Sequence, residues 1–183
     1  MTVKLPKVGK DHRDTLVELL KLNGTLSKPV AMGVEIGVRH GETAELLLEA
    51  FDNLTLGLVD PYTAYTGVVD TFTELQQRDI YRRAMAKLKP LGNHYWLESN
   101  SIDALCGIMD ETLDFVFIDA RHEAPYVLAD VAGWYFKVRQ GGLITGHDYD
   151  MDPVHLAVDA AAKVLGKTVY HLNYPADIWV IEK

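Results

Sequence analysis

Two short apolar runs constrain what this chain can fold into. Asp114-Phe-Val-Phe-Ile-Asp119-Ala-Arg-His122 and Gly141-Gly-Leu-Ile-Thr-Gly-His147-Asp148-Tyr149 are continuous hydrophobic segments that end in carboxylate and imidazole. A strand buried on both faces reads this way, because helices cover each side of a parallel sheet and no polar alternation is needed. Neighbouring parallel strands would bring Asp119, His122, His147 and Asp148 to one carboxyl edge, where open α/β sheets bind ligands. Two acids and two imidazoles there suit a hard metal, a general base, or both.

The rest of the chain alternates in the same manner. Strands are expected over Val30–Ile36, Leu54–Val59, His94–Leu97, residues 114–119 and 142–147, Val169–Leu172 and Ile178–Ile181. Helices are expected over Glu42–Phe51, Phe72–Lys89, Ile102–Met109, Pro125–Tyr135 and Val154–Leu165. An earlier helix is expected to be capped by Asp14 and to run through Lys21, with Leu16, Leu19 and Leu20 on one face. Residues 1 to about 12 read as a basic, irregular segment, either a mobile tail or a cap, and 62–70 as a loop. Strand–helix alternation predicts an α/β protein with a doubly wound, mainly parallel seven-stranded sheet. The last two strands are joined by Asn173-Tyr-Pro-Ala-Asp177, too short for a crossover helix, so the final strand must run antiparallel.

The length of 183 residues fits one domain spanning 1–183, with a tail or helix over 1–25 and a core over 30–183. The net charge of -8 disfavours nucleic acid, which needs a basic face. No apolar run is long enough to span a bilayer and the start lacks a signal-peptide pattern, so a cytoplasmic protein without a membrane partner is expected. The single cysteine, Cys106, excludes an internal disulfide and reads as a core residue in an apolar helix. Trp179 also reads as core.

Val34-Glu35-Ile36-Gly37-Val38-Arg39-His40-Gly41-Glu42 passes from strand to helix through two glycines spaced G-x-x-x-G, not the G-x-G-x-x-G that holds a pyrophosphate. Gly37 would allow close backbone approach and Gly41 tight packing at the helix start. Glu35 would repel a phosphate and welcome a cation or an amine. Asp60, at the end of the second strand, can accept both hydrogen bonds of a ribose diol. Together these suit a nucleoside that carries positive charge and no phosphate.

On these residues the chain resembles the class I S-adenosylmethionine-dependent methyltransferases. Glu35-x-Gly37-x-x-x-Gly41 is similar to the motif that cradles the cofactor's methionine moiety, Asp60 to the ribose-binding acid, and Ser99-Asn100-Ser101 to the segment lining the adenine. Asp119-x-x-His122 with Gly-His147-Asp148-Tyr149 resembles the metal-dependent small-molecule O-methyltransferases of macrolide-sugar and catechol type. The resemblance implies Mg2+ on Asp119 and Asp148, with Asp119 also beside the cofactor, and His122 taking the proton of an acceptor hydroxyl. Catechol-type relatives carry Asp-Asn where this chain has Asp148-Tyr149. The acceptor site would be built from residues 1–25, 61–72 and 146–153, or by a partner subunit; the oligomeric state stays open, with a homodimer one assembly that would supply it. Tyr62, Tyr65 and Tyr149 could accept a small molecule that is either a sugar or an aromatic ring. Three rivals stay open: a nicotinamide-dependent oxidoreductase, a metal-dependent hydrolase or lyase, and a catalytically inactive nucleoside-binding protein.

Overall fold

A computed structural model describes residues 3–67 and 70–183. The elements run in the order α1 (His12–Leu22), β1 (Ala31–Ile36), α2 (Glu42–Ala50), β2 (Leu54–Val59), β3 (Tyr65–Thr66), β4 (Thr71–Phe72), α3 (Glu74–Leu88), β5 (His94–Leu97), α4 (Ser101–Ala104), β6 (Leu113–Ile118), α5 (Ala124–Lys137), β7 (Val138–Gly146), α6 (Asp152–Leu165), β8 (Tyr170–Leu172) and β9 (Ile178–Glu182). Seven of the strands form one sheet in the order β5-β2-β1-β6-β7-β9-β8, and β3 with β4 makes a separate two-stranded hairpin. Pairing is parallel from β5 across to β7, and β9 is antiparallel to both β7 and β8. The expected doubly wound sheet with an antiparallel last strand is the observed one.

The central strands β1, β2 and β6 are buried almost throughout, which is why their sequences lack polar alternation. One core lies between the sheet and α1, α2 and α3, around Leu16, Leu20, Leu47, Leu56, Phe115 and Phe117. The other lies beneath α5 and α6, around Val116, Val131, Trp134, Val158 and Trp179. Trp179 is core, as expected. At the far end of the sheet Asp114, fully buried, takes Lys28 Nζ at 2.8 Å, Arg139 Nε at 2.6 Å and the Met32 amide at 2.7 Å. A buried carboxylate is tolerable only when matched in this way.

The structure departs from the sequence expectations in several places. Helix α1 starts at His12 and its cap is Asp11, whose side chain accepts from the Arg13 and Asp14 amides; Asp14 lies in the first turn. Of the two readings of the preceding segment, its described residues fit the cap and not the loose tail. Val3 is buried, and Lys4 and Asn23 exchange hydrogen bonds of 2.8 Å each. The expected helix 102–109 stops as an α-helix at Ala104, continues as a 3-10 turn over Leu105–Gly107, and leaves Cys106 exposed. The loss of helical phase takes that side chain off the buried face. The expected loop 62–70 contributes Tyr65 and Thr66 to the small hairpin, and α3 begins only after Thr73, which forms a reciprocal capping box with Gln76. Among the described residues no helix is long and apolar enough to cross a membrane.

Candidate active site

The parallel register aligns the ends of four strands. The Gly37 amide donates to Val59 O, the Asp119 amide to Ile36 O and the His147 amide to Ile118 O, at 2.8 to 3.1 Å. Glu35, Asp60, Asp119 and the His147-Asp148 pair are thereby set along one carboxyl edge.

Glu35 pairs in register with Leu58 and Phe117 and is only 2% exposed. Among the described residues its Oε2 has no hydrogen-bond partner. Burial, with Asp119 and then Asp60 nearby, pushes this carboxyl well above its usual range. Gly37 follows at φ +87°, and a Cβ there would sit 1.9 Å from the Asp119 carbonyl oxygen. No other residue fits, so β1 and the loop after β6 meet backbone to backbone. Gly41, at φ +71°, caps α2, with Leu88 Cδ1 3.1 Å from where its Cβ would be. It serves helix packing, as its position in the sequence suggested.

Asp60 is already engaged. Its two oxygens accept from the Arg39 amide at 3.0 Å and the Tyr62 amide at 2.9 Å. Burial raises its pKa, and these backbone donors, with that of Val38, oppose the rise. The turn-forming reading of this residue is the one these contacts express: it holds the glycine loop and the chain after β2 together. Ser99 Oγ donates to the Asn100 carbonyl, and Asn100 caps α4. Ser101 Oγ faces inward, accepting from Trp134 Nε1 at 2.7 Å and bonding Asp130.

On the other side of Asp119, the loops after β6 and β7 interlock. His122 Nε2 lies 2.7 Å from Asp148 Oδ2, and His147 Nδ1 lies 3.1 Å from Asp148 Oδ1. Burial would raise the Asp148 carboxyl, but its two imidazole partners override that and hold it well below the usual range. The hydrogen bond to Asp148 raises the pKa of His122. For His147 burial opposes the charge, yet Asp148 and Asp119 carry the net shift upward. Asp119 is raised by burial, against the pull of His147. One donor atom each from Asp119, His122 and Asp148 lies within 4.8 Å of the others. Two carboxylates and an imidazole so placed fit a divalent cation. The cavity these groups line, with Val127, Val154 and Trp179, is about 10 Å³, room for one water or one ion.

Of the tyrosines expected near the acceptor, two are committed elsewhere. Tyr62 is fully buried, donates to the Arg39 carbonyl at 2.9 Å and packs on Tyr81. Tyr149 donates to Asp159 at 2.6 Å, which takes its hydroxyl toward α6 and away from any ion on Asp148. Two other contributors escape a linear reading. His12, at the start of α1, lies with its ring centroid 4.2 Å from that of His147 and stacks on Phe117. Burial, then the neighbouring His147, depresses its pKa to about 4. His171 joins Asp177 at 3.0 Å, with Asp150 at 3.9 Å, linking the β8–β9 turn to the loop after β7. Antiparallel pairing of the last strands was the only signal for the second; nothing in the sequence pointed to the first.

The model of the family described as a methyltransferase domain matches residues 34–149, more than half of the chain. This chain belongs to that family. Comparison with curated protein sequences gives no match. Among solved structures it is similar to an O-methyltransferase from Bacillus cereus in complex with SAH, at 16% identity and a TM-score of 0.66, over 98% of this chain and 84% of that one. It is also similar to the O-methyltransferase TomG from Streptomyces achromogenes in complex with SAM, at 16% identity and a TM-score of 0.62, over 97% and 80%. An rRNA methylase from Streptococcus thermophilus shares 11% identity at a TM-score of 0.63, over 96% and 99%. At such identities the likeness is one of fold, and the fold does not select the acceptor.

Proposed function

We propose that this protein transfers the methyl group of S-adenosylmethionine to a hydroxyl of a small molecule. The observation that carries the donor half of the reading is the buried, unpartnered carboxylate oxygen of Glu35 between Asp60 and Asp119. Three converging acids disfavour any phosphate-bearing cofactor and favour a nucleoside with cationic groups. In this reading Gly37 leaves room for the methionine moiety, Asp60 faces the ribose, and the backbone of Ser99 to Ser101 lines the adenine. The two O-methyltransferase neighbours, one with SAM and one with SAH, support the assignment.

The acceptor half rests on Asp119, His122 and Asp148. Asp119 and Asp148 would hold a divalent cation, for which magnesium is the proposal. When bound it would polarise the acceptor oxygen. His122 takes the hydroxyl proton, since an imidazole titrates close to working pH. His147 fixes the other face of Asp148, and His12 walls the acceptor side. Displacement at a sulfonium carbon is chiefly a matter of alignment, which four strand ends in register provide. The acidic net charge keeps a small acceptor ahead of RNA, despite the rRNA methylase among the neighbours. A metal hydrolase would use the Asp119 cluster alone and leave Glu35 without a role. Methyl transfer from labelled S-adenosylmethionine to a panel of hydroxylated small molecules, with and without magnesium, tests the acceptor half. Transfer to RNA only would overturn it.

A further inference from the structure

Asp130, on α5, is a buried acid with no part in methyl transfer as proposed. Asp114 is matched by Lys28 and Arg139, but among the described residues no cation is paired with Asp130. A buried carboxyl left so costs the fold stability, and a local rule broken without a stabilising return marks functional positions. Its partner is Ser101, whose hydroxyl accepts from Trp134 Nε1 at 2.7 Å and bonds Asp130. Asp130 and Trp134 are one turn apart on α5, so two side chains of one helix hold a single oxygen.

Ser101 in turn holds the segment after β5. Strand β5 is the parallel neighbour of β2, with Leu97 beside Val59, and the Asp60 amide donates to the Leu97 carbonyl at 3.3 Å. Residues 99–101 therefore leave the carboxyl edge next to Asp60. They open α4, whose 4 residues tighten at once into the 3-10 turn. A helix so short has no stability of its own, and its place is set by what it docks against. The bonds of Ser99 and Asn100 are local, to Leu97, Asn100 and Asp103. Ser101 is where the segment reaches a neighbouring helix. Gly133, beside Trp134, lets that helix come close: a Cβ there would lie 2.6 Å from Leu105 Cδ1. Glycine is disfavoured inside a helix, and this approach gives it a reason. Helix α5 itself starts at Ala124, directly after the loop that carries His122.

We propose that Asp130 is a positioning residue for the cofactor: through the Ser101 hydroxyl it pins the adenine-lining segment to α5. The inference rests on the methyl-donor reading above. Asp130 contributes no reacting atom. It fixes a short, weakly self-supporting segment beside Asp60 before the cofactor arrives, so that binding does not have to order it. The same helix then carries the adenine wall and follows on from the loop of the proposed base.

The test is calorimetric titration of the full chain and its variants with S-adenosylhomocysteine, with thermal melting in parallel to separate lost affinity from unfolding. Asp130→Ala and Ser101→Ala are each expected to weaken binding about threefold to tenfold, the scale of one net hydrogen bond. The double variant should bind no more weakly than either single one, because both substitutions remove one contact. Asp130→Asn keeps an acceptor for the Ser101 hydroxyl and should bind close to the parent. Asp130→Leu, which fills the space without an acceptor, carries the test if Asp130→Ala does not fold, and should show the same loss. Unchanged affinity without the acceptor, losses in the two single variants that multiply, or Asp130→Asn binding as weakly as Asp130→Ala would each overturn the positioning role. Failure of the parent protein to bind S-adenosylhomocysteine would instead remove the methyl-donor reading, and this role with it.

Discussion

His122 Nε2 and Asp148 Oδ2 lie 2.7 Å apart, although 26 residues separate them in the chain. The contact joins the loop after β6 to the loop after β7 and is possible only because the two strands are parallel neighbours in register. Asp148 grips His147 with its other oxygen, so a single carboxylate orients both imidazoles.

The first prediction concerns this pair. With His122 as the base, His122→Ala should lower turnover by about 10²- to 10⁴-fold, the usual worth of general base catalysis, and leave cofactor affinity nearly unchanged. Steady-state kinetics and cofactor titration on one preparation check both parts. Equal turnover would remove His122 from the chemistry.

Glu35 offers a second prediction, in which function and stability oppose each other. A buried carboxylate with an unpartnered oxygen costs the unliganded fold on the order of 1–3 kcal/mol. Glu35→Leu should therefore raise the melting temperature of the unliganded protein by several degrees. The same substitution should weaken S-adenosylhomocysteine binding at least tenfold. Calorimetry reads both. A variant that melts lower and binds as before would show Glu35 to be structural.

Asp130 gives a pH dependence away from the proposed metal ligands. Its carboxyl, 4% exposed on α5 and bonded to Ser101, is pushed up to about 6 by burial, from an ordinary value of 3.8. The folded state thus binds the proton more tightly than the unfolded chain does. The stability contributed by the protonated form is fully present below pH 3.8 and is lost as the pH rises through 6. The loss is of order 3 kcal/mol at most, at about 1.4 kcal/mol per pH unit. Asp130→Asn should flatten the stability profile between pH 4 and 6.5 in urea titrations, and an unchanged slope there would contradict the account.

The mainly parallel sheet with its antiparallel last strand was legible because each central strand is a buried apolar run, and because the link 173–177 leaves no room for a helix; the order of the strands was not. The Asp119–His122 and His147–Asp148 halves of the site were legible for a related reason: both sit where an apolar run ends, and strand ends converge. What could not be read depends on docking angles. The face of α1 shows in Leu16, Leu19 and Leu20, but periodicity does not say that its first residue, His12, lands on His147. The direction of Ser101 was hidden in the same way, since its hydroxyl turns inward to Trp134 only through the packing of α4 on α5. Cys106 was misplaced because a helical pattern was extended past Ala104, where the chain tightens into a 3-10 turn. The hairpin was read as loop because two-residue strands carry no periodicity.

The measurement that bears most directly on the central claim is a calorimetric titration of the protein with S-adenosylhomocysteine, with and without magnesium. The account predicts one site per chain with micromolar affinity, because Glu35, Asp60 and Asp119 converge beside a glycine turn at the edge where a cationic nucleoside is proposed to bind. Absence of binding at millimolar ligand under both conditions would contradict it and return the Asp119 cluster to a metal-dependent hydrolase or lyase.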